Sequence, residues 1–462
     1  MTNSSIKYLP IVAIIVSLIY WIYLALSSHM VIIYDSVGYE RLGRLITEQG
    51  WTEFFKTGPH REPLYPLLIA CAIRLADIAH ISYQSCIIAF QIIIFLITQL
   101  LMLALLRQLK LSTTWQTIAL LYFGFSPALV NSMLSLYSEI LTLPFVLGII
   151  LVAIKITCVI ASEAKQSSRE DCFVTSFLAM TLGLLFVIIT LIKGIFEVIA
   201  PLFLMFILII IFQQGKIRQA FKFFLTTFLI FYCLIFSYKT LNQTFNGQFT
   251  LTNRAAWAFY GNTARRMEPL NLKRVIVALA YMPGEGACRS IFPEGECNFW
   301  SFRRSDEHGF AKSQELASQG MTGRSQDREL LKLAKEMILK NPFQYGLFMM
   351  IESGKMFFWE STKIGFVEYP AWLTKLFDFV PFKNGLRLAA FFLTLFSIIY
   401  SISKAKNNTT LTVILIFITL YIGIHSFFFT LTRYSLPIAP LFIILIVYTL
   451  QNITQPKSAQ RP

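Results

Sequence analysis

Long apolar blocks joined by short polar connections make up most of this chain. Blocks such as 87–106 and 196–212 hold almost no charge over the length of roughly 20 residues that carries a helix across a bilayer. Helices of a soluble core are shorter and present a polar face. The pattern predicts helices at 9–33, 86–106, 115–135, 140–160, 173–192, 195–212, 223–241, 386–403, 411–430 and 434–450. The fold class expected is an all-α polytopic membrane protein, a bundle of about ten transmembrane helices with interfacial helices and an extracytoplasmic loop region. The first block is too long for a signal-peptide core and lacks a small-residue cleavage site before Tyr34, so it reads as a retained helix.

Charge decides the threading. The stretch 63–79 contains Pro63, Pro66, Arg74 and Asp77, which makes it a poor lipid-facing span. If it lies along the interface, the short loops carrying Arg107 and Lys110, Lys165 and Arg169, Lys216, Arg218 and Lys222, and Lys404 and Lys406 all fall on one side. Basic short loops mark the cytoplasmic face. This threading puts both termini inside and divides the chain into three parts. Residues 1–241 form an N-terminal transmembrane catalytic bundle with an outer loop at 34–85. Residues 242–385 form an extracytoplasmic segment, and 386–462 the last helices and a cytoplasmic tail. Within the outer segment, 343–359 is apolar but broken by Glu352 and Lys355; it and 372–382 are expected as interfacial helices. No internal repeat or inverted half is visible, which counts against a symmetric transporter.

Composition agrees with this pattern. The chain is 56% hydrophobic and 14% charged, where soluble domains carry about 25% charged residues. The net charge of +15 sits in the loops and suits anionic lipid and phosphate rather than nucleic acid. Five cysteines (Cys71, Cys86, Cys158, Cys172, Cys233) lie in or beside apolar blocks and read as packing residues. Cys288 and Cys297 share a polar segment and would form one disulfide if it faces an oxidising compartment.

Chemistry is sought where charge meets the outer boundary. Asp35, in Tyr34-Asp-Ser-Val-Gly-Tyr39-Glu40, follows the first span directly; it reads either as a helix cap or as an acidic group with a task. His60-Arg61-Glu62-Pro63-Leu64-Tyr65-Pro66 places a forked cation at membrane level, suited to phosphate or to anchoring at headgroups. Glu139, in Tyr137-Ser-Glu139, heads a span on the same side as Asp35; it would favour the helix dipole or join Asp35 in acid–base chemistry on a hydroxyl. Lys193 with Glu197, and Arg433 with Tyr434, are further boundary groups that suit ion pairs or anchors. The five histidines are scattered, with no spacing that suggests a metal cage.

In their order and common sidedness these elements resemble the GT-C superfamily of polytopic glycosyltransferases, nearest to bacterial relatives of protein O-mannosyltransferases and of the lipid A aminoarabinose transferase. The resemblance is carried by Asp35 to Tyr39, Arg61 to Pro66, Ser126-Pro127, Tyr137 to Glu139 and Arg433-Tyr-Ser-Leu-Pro437-Ile-Ala-Pro440. It covers the first 200 residues best and the last span second. Residues 242–385 match only in position and in the Asn341-Pro342 entry to a helix. It implies transfer of a sugar from a polyprenyl-phosphate donor to a lipid, glycan or protein acceptor, outside a bacterial plasma membrane. Asp35 and Glu139 would be the catalytic acids and Arg61, with Arg433, the holders of the donor phosphate. Tyr39, His60, Glu62, Tyr65, Lys193 and Tyr434 would support them. No cofactor is implied for all members, and certain relatives use a divalent cation. The rival expectations are a transporter or flippase of a lipid-linked precursor, and a noncatalytic homologue.

Overall fold

A computed structural model describes residues 7–454 except 163–168 and 214, and the side chains of 160–174 also fall outside the description. Lys165, Arg169, Cys172, Lys457 and Arg461 therefore lie outside the described side chains. Among the described residues, nine helices are long and apolar enough to cross a membrane. They are Leu9–Ser27, Tyr83–Gln108, Glu139–Val159, Thr175–Ile192, Phe196–Gln213, Ile217–Asn246, Val380–Ala405, Thr409–Phe428 and Thr432–Thr454.

The helix expected over 115–135 is broken in two: the chain forms Thr113–Phe125 and Pro127–Met133, separated at Ser126. Proline at 127 has no N–H to continue the first helix, so the break leaves polar backbone ends that need partners inside the bundle. Glu360 supplies them: its carboxylate accepts from Ser126 Oγ at 2.8 Å, Ala128 N at 2.9 Å and Tyr122 Oη at 3.1 Å. Glu360 is fully buried, and that burial raises its pKa above the ordinary carboxylate value. The broken helix begins beside the last span, where Ser112 N donates to Gln451 Oε1 at 2.8 Å.

Helix faces follow the apolar pattern. Along the first span, Ala13, Trp21 and Leu24 are buried, while Ile15, Ile19 and Leu26 point outward as a lipid-facing surface. Trp21 Nε1 donates to Gly124 O at 2.8 Å, and a side chain at Gly124 would collide with Ser17 Oγ. The last span is the most enclosed, 83% buried over its apolar window against 22% for Val380–Ala405. Arg433 stands at the N-terminal end of the last span.

Several boundaries differ from expectation. The first helix stops at Ser27 rather than 33, because His29–Met30 pairs antiparallel with Val367–Glu368 and Val31 N donates to Phe366 O at 3.0 Å. The helix expected from 386 begins at Val380, which removes 380–382 from the expected interfacial stretch. The stretch 63–79 forms the helix Leu64–Ala79, too short to count among the spanning helices. Of the described apolar-block cysteines, Cys71, Cys158 and Cys233 are exposed on the bundle surface and Cys86 is half-buried, so they face outward rather than pack inside. Cys288 and Cys297 are bonded to each other, in a small core with Trp300 and Phe348.

Candidate active site

Asp35 is the first residue of the helix Asp35–Lys56. Tyr34 before it holds φ +53°, a left-handed conformation uncommon for a side chain of this size, and its ring stacks on Phe366 at 5.5 Å. The cap position falls to Tyr34 with no side-chain cap bond, and the Asp35 carboxylate meets a group of guanidiniums instead. Oδ1 accepts from Arg61 Nη2 at 2.5 Å, Oδ2 accepts from Arg433 Nη2, and Arg254 Nη1 lies 3.9 Å away. Burial alone would raise the Asp35 pKa. The surrounding guanidiniums of Arg433, Arg61 and Arg254 reverse that and hold it well below the ordinary carboxylate range.

Arg433 joins the two acids. It bonds Asp35 through Nη2 and brings Nε to 3.7 Å from Glu139 Oε1. Its guanidinium lies over the rings of Tyr137 at 4.8 Å and Tyr434 at 5.8 Å. Glu139 is 2% exposed and accepts from Lys193 Nζ at 3.0 Å. Burial opposes the charge of Lys193, but Glu139 together with Tyr39, Tyr434 and Glu62 outweighs it, and the ammonium pKa lies above its ordinary value. The expected partner Glu197 bonds Lys239 instead. Lys193 and Glu197 are four apart in sequence, but Lys193 precedes the helix Phe196–Gln213, so the helical spacing that would join them does not exist.

The supporting residues separate into two kinds. Tyr39 bonds Ser138 Oγ at 2.8 Å and lies under Arg61, whose guanidinium sits 5.1 Å from the ring centre. Glu62 Oε1 accepts from Gly194 N at 2.7 Å, which ties the loop before 63 to the loop after Lys193. His60 stands at the rim of the cavity and Tyr434 lines it. Tyr65 is buried behind, edge-on to Tyr39 at 5.0 Å and donating to Gln91 Oε1 at 3.3 Å; it supports the wall without reaching the cavity.

The cavity measures about 430 Å³ and is lined by Arg61, Glu139, Lys193, Arg254, His425 and Tyr434 among others. Asp35 and Arg433, each about one-fifth exposed, lie beside this lining rather than in it. Three buried polar atoms beside it have no hydrogen-bond partner among the described residues: Glu139 Oε2, Arg433 Nε and His425 Nε2. Polar atoms left so in a buried site are destabilising until a ligand meets them. The sequence reading missed Arg254, Lys239, His425 and Asp306, all of which line this cavity; burial raises the Asp306 carboxyl pKa. They sit in no motif, and only closure of the fold brings them here.

Asp35 and Glu139 face guanidinium and ammonium groups, and among the described residues no three His, Cys, Asp or Glu side chains converge.

No protein-family model and no curated protein sequence matches the chain. Among solved structures, the archaeal oligosaccharyltransferase AglB from Archaeoglobus fulgidus, in complex with an inhibitory peptide and a dolichol-phosphate, is similar with a TM-score of 0.49 and 12% sequence identity. The match covers 97% of this chain and 50% of that one, so this chain spans about half the length of that protein.

Proposed function

We propose that the protein is a glycosyltransferase of GT-C type that moves a sugar from a polyprenyl-phosphate donor to an acceptor hydroxyl at the extracytoplasmic face of a bacterial plasma membrane. The observation that supports this most is the arrangement around Arg433, which bridges Asp35 and Glu139 next to a cavity lined by Glu139, Arg61 and Lys193. In such a transfer the phosphate leaves the anomeric carbon as the hydroxyl attacks from the opposite face, so configuration inverts. Negative charge grows on the leaving phosphate, and fixed guanidiniums stabilise that transition state more than the ground state.

Geometry distributes the roles. Both Asp35 oxygens are occupied by arginines, so Asp35 acts as a positioning residue that aims Arg61 and Arg433. Glu139 lines the cavity with Oε2 unpartnered, and it receives the acceptor hydroxyl. The charges gather at one end of the bundle rather than mid-span, which favours chemistry at a surface over transport through the bilayer. The Cys288–Cys297 disulfide suits a segment outside the cytoplasm.

Two experiments test the proposal. In a strain lacking the gene, mass spectrometry of the envelope should show one glycan modification missing and its lipid-linked donor retained on the outer leaflet. Donor trapped on the cytoplasmic leaflet would mark a transporter instead. A reporter fused near Thr250 should report an extracytoplasmic location and one near Gln214 a cytoplasmic one; the opposite result removes the proposed placement of the site.

A further inference from the structure

A second concentration of buried charge lies in the segment between the sixth and seventh candidate spans, and its charges do not balance. Glu352, fully buried, accepts from three cations that are themselves buried: Arg265, Arg266 and Lys355. Carbonyl oxygens take some of the arginine donors. Trp300 O receives Arg265 Nη1 at 2.7 Å, and Ser426 O and Phe427 O receive Arg266 at 2.8 and 3.1 Å. Carbonyls supply dipoles and no net charge, so three cations face one carboxylate and a surplus of two positive charges remains. Isolated buried charge is strongly disfavoured unless something pairs with it.

A cavity of about 150 Å³ opens beside this surplus. Arg265 and Lys355 line it, with Tyr281 and Trp300 as aromatic walls and the run Phe429–Thr432 as its floor. Donors are spare on this side. Lys355 carries three N–H groups and meets one acceptor, Glu352 Oε1 at 2.7 Å. Arg265 Nε is buried without a hydrogen-bond partner among the described residues. Glu285 also lines the cavity, half-buried, and its carboxylate is paired with Arg289. The strain of the surplus registers on Lys355, whose pKa falls to about 8: burial and the two arginines outweigh the pull of Glu352.

We infer that this cavity is a binding site for a phosphate monoester, distinct from the candidate active site. A phosphate monoester carries about −1.5 to −2 at neutral pH and three acceptor oxygens, which matches a surplus of two positive charges and spare N–H donors. The volume equals roughly five waters at about 30 Å³ each, enough for the five heavy atoms of a phosphate group. The monoester is either free in solution or the headgroup of a lipid. Its floor, Phe429–Thr432, leads directly into Arg433, so an occupant here also sets the backbone that carries the bridging arginine.

The test uses the purified full-length protein, as wild type, Lys355→Met and Arg61→Gln. In detergent, binding of radiolabelled inorganic phosphate is measured. In nanodiscs of phosphatidylcholine, with or without phosphatidic acid, the melting temperature is measured. Lys355→Met should weaken one class of phosphate binding about tenfold or more, and Arg61→Gln, which disturbs the other cavity, should leave that class unchanged. If the monoester is lipid-borne, inorganic phosphate binds poorly, and phosphatidic acid raises the melting temperature of wild type and of Arg61→Gln but not of Lys355→Met. Without ligand, Lys355→Met should melt no lower than wild type, since it removes a surplus cation and leaves Glu352 with two arginines. Equal responses of wild type and Lys355→Met to both probes would overturn the inference. A Lys355→Met protein that melts well below wild type without ligand would do the same, since it would show that Lys355 serves the fold alone.

Discussion

Arg433→Gln should lower the rate of sugar transfer by about 10²–10³-fold, the loss typical when one fixed donor to a developing anion is removed, while the protein still folds. Folding should survive because neither acid loses its last cation. Asp35 keeps Arg61 at 2.5 Å and Arg254 at 3.9 Å, and Glu139 keeps Lys193 at 3.0 Å. What disappears is the one group that touches both acids, delivered by the most enclosed helix of the bundle. Such a group acts on the charge that appears as phosphate departs, so kcat should fall while the acceptor KM changes little. Arg433→Lys should recover only part of the rate, since an ammonium lacks the fork that reaches two carboxylates at once. The check is a steady-state assay in proteoliposomes with fixed lipid-linked donor; a glutamine variant within threefold of wild type would remove Arg433 from the mechanism.

The crossings were legible in the sequence because a bilayer demands long apolar runs, and such runs need no knowledge of their neighbours. Boundaries set by distant contacts were not. Val31 to Ile33 continue an apolar block, yet they leave the helix because the backbone at 29–31 pairs with 366–368. Ser126-Pro127 is a visible breaker, but the break is stable only because Glu360, more than 230 positions away, caps it. The candidate site divides in the same way. Asp35, Arg61, Glu139 and Arg433 stood out because a charge beside an apolar run is locally conspicuous. Arg254 and Asp306 occupy a polar, basic segment where one more charge carries no signal, and Lys239 and His425 lie toward the ends of their helices without a motif. Which acid meets which cation was also out of reach, since Lys193 chooses Glu139, 54 positions away, over Glu197.

Asp35→Asn and Glu139→Gln should fail differently, and the contrast separates a residue that positions from one that touches substrate. Asp35→Asn leaves Arg61 and Arg433 without the anion between them. Each side chain in that cluster is roughly one-fifth exposed, so the loss is smaller than for a fully buried pair and should be about 2 kcal/mol. The sign with pH follows from the depressed Asp35 pKa. Its stabilisation is present above the unfolded carboxylate value of about 3.9 and is lost as pH falls through the folded value. The melting-temperature gap between wild type and Asp35→Asn should therefore be constant from pH 5 to 8 and narrow only in stronger acid. Over that same range Asp35 remains an anion, so it contributes no limb to the pH–rate profile. Transfer should fall in Asp35→Asn because both guanidiniums lose their aim, and Asp35→Glu should restore part of it with an altered donor KM. Glu139→Gln keeps the size of the side chain but replaces the spare oxygen or its partner with a donor, so acceptor capture suffers while Asp35 and its arginines stay in place. Its expected signature is a drop in kcat/KM for the acceptor, with donor binding near wild type. Were Asp35→Asn to transfer sugar at the wild-type rate, or Glu139→Gln to lose donor binding instead of acceptor turnover, the division of labour between the two carboxylates would be wrong.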